Sequence, residues 1–595
     1  MSHLARVLVA AVVCCAMLGA AGAQTAPPVP EPAAAPVPAT PAVTVPGQAE
    51  APAVSEPVAA PAPAPPPVQP VGPLAEAIAA RLAAGLATLD VHRQPDLARL
   101  RQFYEGRSYA AAWFADTGAG LTLLPAAQSL RQVTAGADAD GLLPSDYHSA
   151  AIAARVEATD PARQAELDVL LTDALMDYAG DVHHGRVPPH SIAEEFALVP
   201  PAIDVAATAT AALAASDLPS FLAGLAPNRP GYLGLKRALR TLRAIEAAGG
   251  WPRLSEDFEL SPGAGNAAVR VLRRRLAVTG DLDAKLPVTP LYDQAVKAAV
   301  QRFQRRHGLE PDGVVRESTR AALNVGVAER IVSVIANMER ERWMPDDLGP
   351  RRVLVNVPGF NLRAVADGKV VLEMPVIVGT RVRRTPIFGS QITSLIWNPT
   401  WSVPTKLARE DILPKLRRDP NYLAEQHIAL YDGSFSGGRV NPARIDWETF
   451  RDINRFRLRQ MPGAHNALGQ VKFNIPNDFD VYLHDTPHRE KFGKAVRTFS
   501  SGCVRVGNPM ALADFVLADM PEWTEERRSQ VLKKGETRLV TLRTPVPVYL
   551  LYQTAWVDDQ GLIQFREDIY GRDAQVIQAI RRNAESVTRS IGTAG

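Results

Sequence analysis

Cysteine is scarce in this sequence: three occur in 595 residues, and two of them, Cys14 and Cys15, are neighbours near the N-terminus. The third, Cys503, stands in the stretch SSGCVRV, far from both. If the N-terminal pair is removed on export, Cys503 has no intramolecular disulfide partner. Three interpretations of such an odd cysteine stay open: an intermolecular bridge, a reactive thiol, or a small buried hydrophobe.

The sequence also lacks a charge imbalance and a second long apolar run. Its 65 Lys and Arg stand against 63 Asp and Glu, for a net charge of +2, which argues against nucleic acid or an anionic surface as the main partner. After residue 23, no segment reaches the ~20 apolar residues of a transmembrane helix. The composition is globular, with 46% hydrophobic and 22% charged residues, and the length allows three or four domains.

The first 23 residues have the pattern of a secretory signal peptide. Arg6 lies in a short n-region, an apolar run follows, and the segment ends in Ala21-Gly22-Ala23. The run is short for a bilayer span, so we expect cleavage rather than permanent anchoring. Residues 24–73 hold about a third of the chain's 50 prolines and almost no large apolar residues. We predict a disordered, extended linker there.

Residues 74–257 predict a helical scaffold domain, because apolar residues recur every three or four positions in stretches such as LDVLLTDALMDYAGDV. His183, His184 and His190 lie in this region. Their spacing matches no standard ligand pattern, and two prolines between them interrupt any helix that would align them. We therefore predict no metal site and no cofactor.

Residues 258–327 predict a compact three-helix module. One apolar face is formed by Val269, Leu272 and Leu276, and a second by Val296, Ala299, Val300 and Phe303. The stretch YDQAVKAAVQRFQRRHGLEPDGVVRESTRAALN, residues 292–324, resembles the type 1 peptidoglycan-binding module. That resemblance implies binding to glycan strands; the alternative is a spacer that no longer binds glycan. A connecting helix is predicted over 328–350.

From residue 351 the pattern changes to strands. Two alternating runs flank Asp367-Gly368, the strongest short-range hairpin signal. We predict a mainly β domain over 351–545 and a strand and helix extension over 546–595. A charged, helix-prone insertion at 406–461 interrupts the strands, and loops of that length are often lids. The predicted fold class is multidomain α+β, with a helical scaffold, a small three-helix module and a mainly β domain carrying a helical, lid-like insertion.

Cys503 gains a chemical interpretation from its neighbours in sequence. A nearby base or positive charge makes a thiol a useful nucleophile. His484, 19 residues earlier at the end of a predicted strand, is the candidate base, whereas His488 is interpreted as a solvated loop residue. Gly502 permits a sharp turn in which the amides of Gly502 and Cys503 point at a developing oxyanion. A carboxylate or a backbone carbonyl near Asp485 would serve equally well to orient the imidazole.

Three stretches resemble the L,D-transpeptidase (YkuD-type) catalytic domain, and in particular its long Gram-negative subfamily: PGAHNALGQVKFNIPNDFDVYLHDTP, AVRTFSSGCVRV and AWVDDQGLIQFREDIYGRD. The order of signal, scaffold, peptidoglycan-binding module and insertion-bearing domain is similar to that subfamily. The family's more usual Ser-His-Gly-Cys is Ser500-Ser501-Gly502-Cys503 here, so a histidine often found beside the nucleophile is absent.

The resemblance implies a periplasmic enzyme that forms 3-3 cross-links in peptidoglycan. Cys503 would attack the bond between diaminopimelate and D-Ala of a tetrapeptide stem, with His484 as general acid and base and the Gly502 amide at the oxyanion. The thioester would pass to the amine of a second stem. Residues suited to bind the anionic, partly apolar stem are Trp401, Lys472, Asn474, Tyr482, Ser501 and Arg505. Other cell-wall synthesis proteins are a further partner class.

Two alternatives from other classes stay open. In the first, the peptidoglycan-binding module supplies affinity and the C-terminal domain is catalytically inert. In the second, the same Cys503 and His484 pair hydrolyses stem peptides instead of joining them. The reactivity of Cys503 separates the first alternative from an enzyme, and the products formed from tetrapeptide stems separate the second from a transpeptidase.

Overall fold

The structure of the protein is a computed structural model that describes residues 69–590, apart from 87–88, 90, 92–93, 119, 256–258 and the side chains of 583–590. The predicted signal peptide, 1–23, and the predicted linker up to residue 68 lie outside the described residues. The first helix begins at Pro73, the last residue assigned to the linker. Proline suits the first helical position because its fixed φ is already helical.

The scaffold region is helical, as predicted. Its central helix is buried along nearly its whole length, and the apolar residues of the neighbouring helices pack around it. The helices are α1 (Pro73–Ala84), α2 (Leu97–Glu105), α3 (Pro125–Ala135), α4 (Ser149–Ala153), the central α5 (Pro161–His184), α6 (Val205–Ala214), α7 (Leu218–Ala223) and α8 (Pro230–Ala247). Short strands interrupt them: β1 (Phe114–Asp116), β2 (Leu121–Leu123) and β3 (Phe196–Ala197).

The three-helix module is confirmed, and both predicted apolar faces are buried in its core. Its helices are α9 (Ala267–Val278), α10 (Gln294–Arg306) and α11 (Glu317–Asn324). The Asp293 carboxylate caps α10 by accepting a hydrogen bond from the Val296 N–H at 3.0 Å, which satisfies a donor that the first turn leaves without a partner. The connecting helix follows as α12 (Val327–Arg342).

The predicted hairpin around Asp367-Gly368 is present. Both turn residues have positive φ, 48° and 77°, as a two-residue hairpin turn of the primed type requires. Strands β5 (Asn361–Ala366) and β6 (Lys369–Gly379) flank the turn, between β4 (Arg351–Asn356) and β7 (Ile387–Trp397).

The insertion has its own small core. Its first part is helical, as predicted, with α13 (Thr405–Leu407), the π-helical turn Ala408–Ile412, α14 (Leu413–Leu416) and α15 (Tyr422–Glu425). Its second part adds strands that the sequence analysis did not predict. The resulting four-stranded sheet comprises β8 (Trp401–Ser402), β9 (Ile428–Asp432), β10 (Arg439–Val440) and β11 (Phe456–Gln460).

The chain then returns to the main sheet. The elements are β12 (Val471–Asn474), β13 (Leu483–His484), β14 (Thr498–Ser500), β15 (Val504–Val506), α16 (Pro509–Val516), α17 (Glu525–Lys534) and β16 (Arg538–Leu551). The strand order is β12-β13-β15-β6-β5-β4-β16-β7, and β12 also pairs with β7, so the pairings form a closed circuit. The scaffold strand β3 adds to this sheet by pairing in parallel with the start of β7.

The boundary predicted between residues 545 and 546 falls inside β16, so it is wrong. β16 contains Pro545 and Pro547, neither of which can donate a backbone hydrogen bond to the strand ladder. The strand accommodates them with a register shift between Thr541 and Val546. The catalytic sheet therefore extends to Leu551, and the true extension comprises β17 (Ala555–Val557), β18 (Ile563–Phe565) and α18 (Arg572–Ser590).

Among the described residues, no single helix is both long and apolar enough to cross a membrane. Helices α11 and α12 meet that test only when they are taken together, and the chain bends by 81° between them.

Candidate active site

Three neighbouring strands carry the predicted catalytic residues. β12 and β13 are antiparallel and place Lys472 opposite His484, while β13 and β15 are parallel and place His484 opposite Arg505. The Val504 N–H donates to the Tyr482 carbonyl at 3.1 Å, which sets Cys503 beside Tyr482. Successive side chains of a strand point to opposite faces of the sheet. One face therefore presents Lys472, Tyr482, His484, Cys503 and Arg505, while the other carries Phe473, Leu483 and Val504 into the core.

Cys503 is a free cysteine whose sulfur is held by its neighbours on this face. Its thiol lies 3.7 Å from the Asp480 carbonyl oxygen. Burial raises the pKa of the Cys503 thiol, and hydrogen bonds from the Tyr482 N–H and hydroxyl oppose that rise, as do the positive charges of Lys472 and Arg505. The resting thiol is therefore protonated at neutral pH, and Tyr482, Lys472 and Arg505 favour the thiolate when the proton leaves.

His484 is buried, with 4% of its surface exposed. Its Nδ1 lies 2.5 Å from the Asp485 carbonyl oxygen, so Nδ1 carries the proton and Nε2 is left as the acceptor. The orienting group is thus the backbone carbonyl, because the Asp485 carboxylate accepts from the Gln470 N–H and from Arg489 instead. Burial, together with the nearby Arg505 and Lys472 charges, lowers the pKa of His484 to about 3. The imidazole is therefore neutral at neutral pH.

Lys472, Tyr482 and Trp401 form a connected group above the thiol. The Lys472 ammonium lies 4.0 Å from the centre of the Tyr482 ring, close enough for a cation–π interaction. Burial raises the pKa of Tyr482, and a hydrogen bond from the Trp401 side chain opposes that rise. Trp401 also packs on the core of the insertion, so the insertion contacts the catalytic face through this residue.

The turn before the nucleophile is shaped by Gly502, whose φ of 118° disfavours any residue with a side chain. The Ser500 hydroxyl bridges the turn: it donates to the Cys503 carbonyl at 2.5 Å and accepts from the Gly502 N–H at 3.2 Å. The Gly502 amide is thus engaged within the turn, and the oxyanion role predicted for it requires this bond to yield. Ser501 is exposed.

Of the predicted substrate-binding residues, Asn474 is hydrogen-bonded within the fold, whereas Arg505 keeps nitrogens without a partner among the described residues. The Asn474 amide donates to the Ser394 hydroxyl at 2.9 Å, which directs it to β7 rather than to the thiol. Arg505 has two buried nitrogens, Nε and Nη1, that find no hydrogen-bond partner among the described residues. An unpaired buried guanidinium is costly, so this side chain is suited to receive an anion.

Comparison with known families agrees with this geometry. Residues 98–239 match a family described as "Scaffold domain", and residues 265–323 match "Putative peptidoglycan binding domain". Residues 350–548, which contain the whole catalytic face, match "L,D-transpeptidase catalytic domain". The C-terminal half of the chain carries an L,D-transpeptidase catalytic domain.

A relative of this transpeptidase domain is the "Putative L,D-transpeptidase" of Haemophilus influenzae, 41% identical over 240 residues. The alignment spans 40% of this chain and 48% of the relative, so about half of that protein is matched. The domain match and this relative both carry the name L,D-transpeptidase.

Two solved structures are similar at low identity. The L,D-transpeptidase of Xylanimonas cellulosilytica is 15% identical and covers 50% of this chain and 99% of its own, with a TM-score of 0.17. The L,D-transpeptidase of Mycobacterium smegmatis is 11% identical and covers 34% of this chain and 58% of its own, with a TM-score of 0.18.

The transpeptidase domain holds its nucleophile turn with residues that the sequence analysis missed. The Thr385 hydroxyl donates to the Gly502 carbonyl at 2.7 Å and accepts from the Gly379 N–H at 2.9 Å. The Tyr570 hydroxyl donates to the Gly379 carbonyl at 2.6 Å and lies 3.4 Å from the Thr385 N–H. The C-terminal extension therefore braces the turn through Tyr570. Tyr570 lies in the stretch AWVDDQGLIQFREDIYGRD, which carried part of the family resemblance, whereas Thr385 lies in no stretch that the sequence analysis singled out.

Outside the transpeptidase domain, the three scaffold histidines do not form a cluster. Nδ1 of His183 bonds to the Leu225 carbonyl, and Nδ1 of His184 to the Gly185 carbonyl. Another group does converge: ligand atoms of His148, Asp173 and Asp177 lie within 4.8 Å of one another. His148 pairs with Asp173 at 2.7 Å, and Arg99 pairs with Asp177 at 3.2 Å. These charges have partners within the fold, and we assign no metal to them.

Proposed function

We propose that this protein is a periplasmic L,D-transpeptidase that forms 3-3 cross-links in peptidoglycan through a thioester on Cys503. The observation that carries the proposal is the shared strand face of Cys503, Tyr482, His484, Lys472 and Arg505. It supplies a nucleophile, a neutral base and two cations to stabilise a thiolate.

In the first half-reaction, the Cys503 sulfur attacks the carbonyl carbon that joins diaminopimelate to the terminal D-Ala of a donor stem. Nε2 of His484 takes the thiol proton as the carbon–sulfur bond forms. Because thiol and imidazole both start neutral, proton transfer accompanies the attack rather than preceding it. The Cys503 N–H, and the Gly502 N–H once it leaves Ser500, hold the oxyanion. Collapse expels the D-Ala amine, which receives the proton from His484.

In the second half-reaction, the side-chain amine of an acceptor stem attacks the thioester carbonyl. His484 takes a proton from the amine, a new amide bond forms, and the Cys503 thiolate leaves and regains its proton from His484. If water replaces the amine, the same steps release a shortened stem. The acceptor therefore decides between cross-linking and carboxypeptidase activity.

Recognition of the stem rests on the groups around the thiol. The unpartnered nitrogens of Arg505 and the Lys472 ammonium suit carboxylates of an anionic peptide. Trp401 and Tyr482 suit its apolar parts, and Asn474 and Ser501 add polar contacts at the edge of the face. The three-helix module is proposed to hold glycan strands, and a groove of about 500 Å³ on its surface, lined in part by Arg273, Arg274, Leu286 and Val288, offers a place for them.

Muropeptide analysis tests the proposal. The wild-type protein, incubated with purified disaccharide tetrapeptide, is expected to give dimers with 3-3 linkage and free D-Ala. Cys503→Ala, which removes one sulfur atom from a partly exposed position, is expected to fold normally and to give neither product. Dimer formation by this variant would sink the assignment of the nucleophile.

A hydrolase is the second candidate, because the same pair of residues serves either acceptor. Release of D-Ala without dimers, abolished in Cys503→Ala, would support the hydrolase over the transpeptidase. A domain without activity is separated by acylation with a carbapenem. An adduct on the wild type that disappears in Cys503→Ala would support an enzyme, whereas no adduct on the wild type would favour a binding protein.

A further inference from the structure

The loop between β6 and β7 lies directly beside the nucleophile turn. The Thr380 N–H donates to the Ser500 carbonyl at 3.0 Å, and the loop carries three arginines, Arg381, Arg383 and Arg384. Arg381 pairs with Glu567 at 2.9 Å and Arg384 with Glu195 at 3.2 Å, both outside the insertion. These two arginines thus have partners in the C-terminal extension and the scaffold.

Arg383 differs from the other two because it links the nucleophile turn to the insertion. Its Nη1 donates to the Ser501 hydroxyl at 3.1 Å, two residues before the nucleophile. The same guanidinium makes a bidentate ion pair with Asp411, at 2.6 and 2.7 Å, and a third contact with Glu410 at 3.0 Å. Two carboxylates of the insertion therefore occupy an arginine at the rim of the catalytic face.

A bidentate guanidinium–carboxylate pair is the arrangement in which arginine recognises carboxylates in general. The pair here lies at the surface, since the side chains of Arg383, Glu410 and Asp411 are 21, 34 and 40% exposed. Exposed ion pairs contribute little net free energy, because each partner regains hydration when they part. A carboxylate that arrives on another molecule can therefore replace Asp411 at low cost.

We propose that Arg383 is the receptor for a carboxylate of the donor stem peptide, and that Asp411 and Glu410 occupy it until that peptide binds. This inference rests on the proposed function, because it names a binding group for the same substrate. Arg383 is then a specificity-determining residue, and exchange of its partners couples substrate entry to release of the insertion from the nucleophile turn.

Alkylation of Cys503 tests the anion site without any cross-linking assay. Iodoacetate and iodoacetamide displace iodide from the same sulfur, but only iodoacetate carries a carboxylate. The rate constant of iodoacetate divided by that of iodoacetamide, both measured by intact mass, reports how strongly the site attracts an anion. A change in the exposure of the Cys503 sulfur affects both reagents and cancels in this ratio. In the double variant Asp411→Asn and Glu410→Gln, the ratio is expected to rise about threefold at low salt, as one released surface charge would give.

Two further variants make that measurement decisive. Adding Arg383→Gln to the double variant is expected to remove most of the rise in the ratio, although the triple variant still has one negative charge fewer than the wild type at this position. Glu567→Gln frees Arg381 in the same loop and is expected to leave the ratio unchanged. A ratio that does not rise in the double variant, that stays high without Arg383, or that rises equally in Glu567→Gln would overturn the proposal.

The substrate itself supplies the second test. Arg383→Gln is expected to raise KM for the tetrapeptide stem about tenfold with a smaller change in kcat, since it removes a binding contact rather than a reacting group. Stems amidated at one carboxylate at a time identify the carboxylate that Arg383 binds. Amidation of that carboxylate is expected to raise KM in the wild type but not in Arg383→Gln. If no amidation behaves so, the proposal is wrong.

A wild-type protein without product would refute the proposed function, while the alkylation ratio would still decide whether Arg383 binds anions.

Discussion

Tyr482 and Cys503 lie side by side on paired strands, where the Val504 N–H donates to the Tyr482 carbonyl at 3.1 Å, and hydrogen bonds from the Tyr482 N–H and hydroxyl lower the pKa of the Cys503 thiol. The backbone bond is independent of the side chain, whereas the hydroxyl bond can be removed alone. Tyr482 thereby offsets part of the rise in pKa that burial imposes on the thiol. We infer that this tyrosine stabilises the thiolate, which is a finer role than the substrate contact that the sequence analysis gave it.

Tyr482→Phe is expected to raise the pKa of Cys503 further and to slow its alkylation by iodoacetamide at pH 7 by about tenfold, the effect of one lost hydrogen bond to a charged group. The ring and its contact with Lys472 remain, so the fold is expected to persist. The pH dependence of the alkylation rate measures the change. An unaltered profile would show that the hydroxyl does not reach the thiolate.

The buried His484 is expected to make stability depend on pH. In the unfolded chain its pKa is about 6.5, whereas the folded value is lowered to about 3. The unfolded state therefore binds the proton first, so the contribution is fully present above pH 6.5 and is lost as the pH falls towards 3. Between pH 7 and 4.5, we expect the wild type to lose about 2 to 3 kcal/mol more unfolding free energy than His484→Gln.

Urea unfolding of both proteins, followed through the transition of the catalytic domain, measures this difference. His484→Gln keeps a polar side chain of similar size but has no proton to bind. If the two proteins lose the same unfolding free energy between pH 7 and 4.5, the pH dependence of stability does not come from His484.

The sequence predicted what lies in short continuous stretches. Cys503, Gly502 and Arg505 share one heptapeptide, and His484 ends a strand whose alternation is plain. The separation of 19 residues between His484 and Cys503 leaves room for the crossover connection that parallel strands require. The faces of the three-helix module were equally local, because their period of three to four residues marks the core directly.

What the sequence could not predict are contacts between distant segments. Tyr570 reaches Gly379 across 191 residues, and Glu195 reaches Arg572 across 377, and neither pair has a local pattern. Among the strands of the insertion, β10 was missed for another reason: it has two residues, too few for alternation to show. The continuity of β16 past Pro545 and Pro547 depends on a register shift between Thr541 and Val546, which residue types alone do not reveal.

Thr385 is expected to be a positioning residue for the oxyanion turn. Thr385→Val keeps the shape but leaves the Gly502 carbonyl and the Gly379 N–H without their shared hydroxyl, whereas Thr385→Ser retains it. We expect Thr385→Val to slow acylation of Cys503 by a carbapenem by about tenfold or more, because attack on a carbonyl needs aligned amides. Alkylation by iodoacetamide forms no oxyanion and is expected to change little. Equal losses in both reactions, or no rescue by Ser, would indicate a purely structural role.

The scaffold is expected to stabilise the catalytic domain through Glu195. The Glu195 carboxylate directly precedes β3, the scaffold strand that extends the main sheet. It accepts hydrogen bonds from Arg384, in the loop between β6 and β7, and from Arg572, whose side chain is fully buried. Removing it leaves the Arg572 charge without its acidic partner in a site shielded from water, and breaking a buried pair in this way is strongly destabilising. Because Glu195 itself is partly exposed, we expect Glu195→Ala to cost about 2 kcal/mol in the unfolding of the catalytic domain.

Glu194→Ala, at the exposed neighbouring position, is the matched control and is expected to change stability by less than about 0.5 kcal/mol. Equal effects of the two substitutions in urea unfolding would mean that the scaffold strand, and not the carboxylate, joins the two domains.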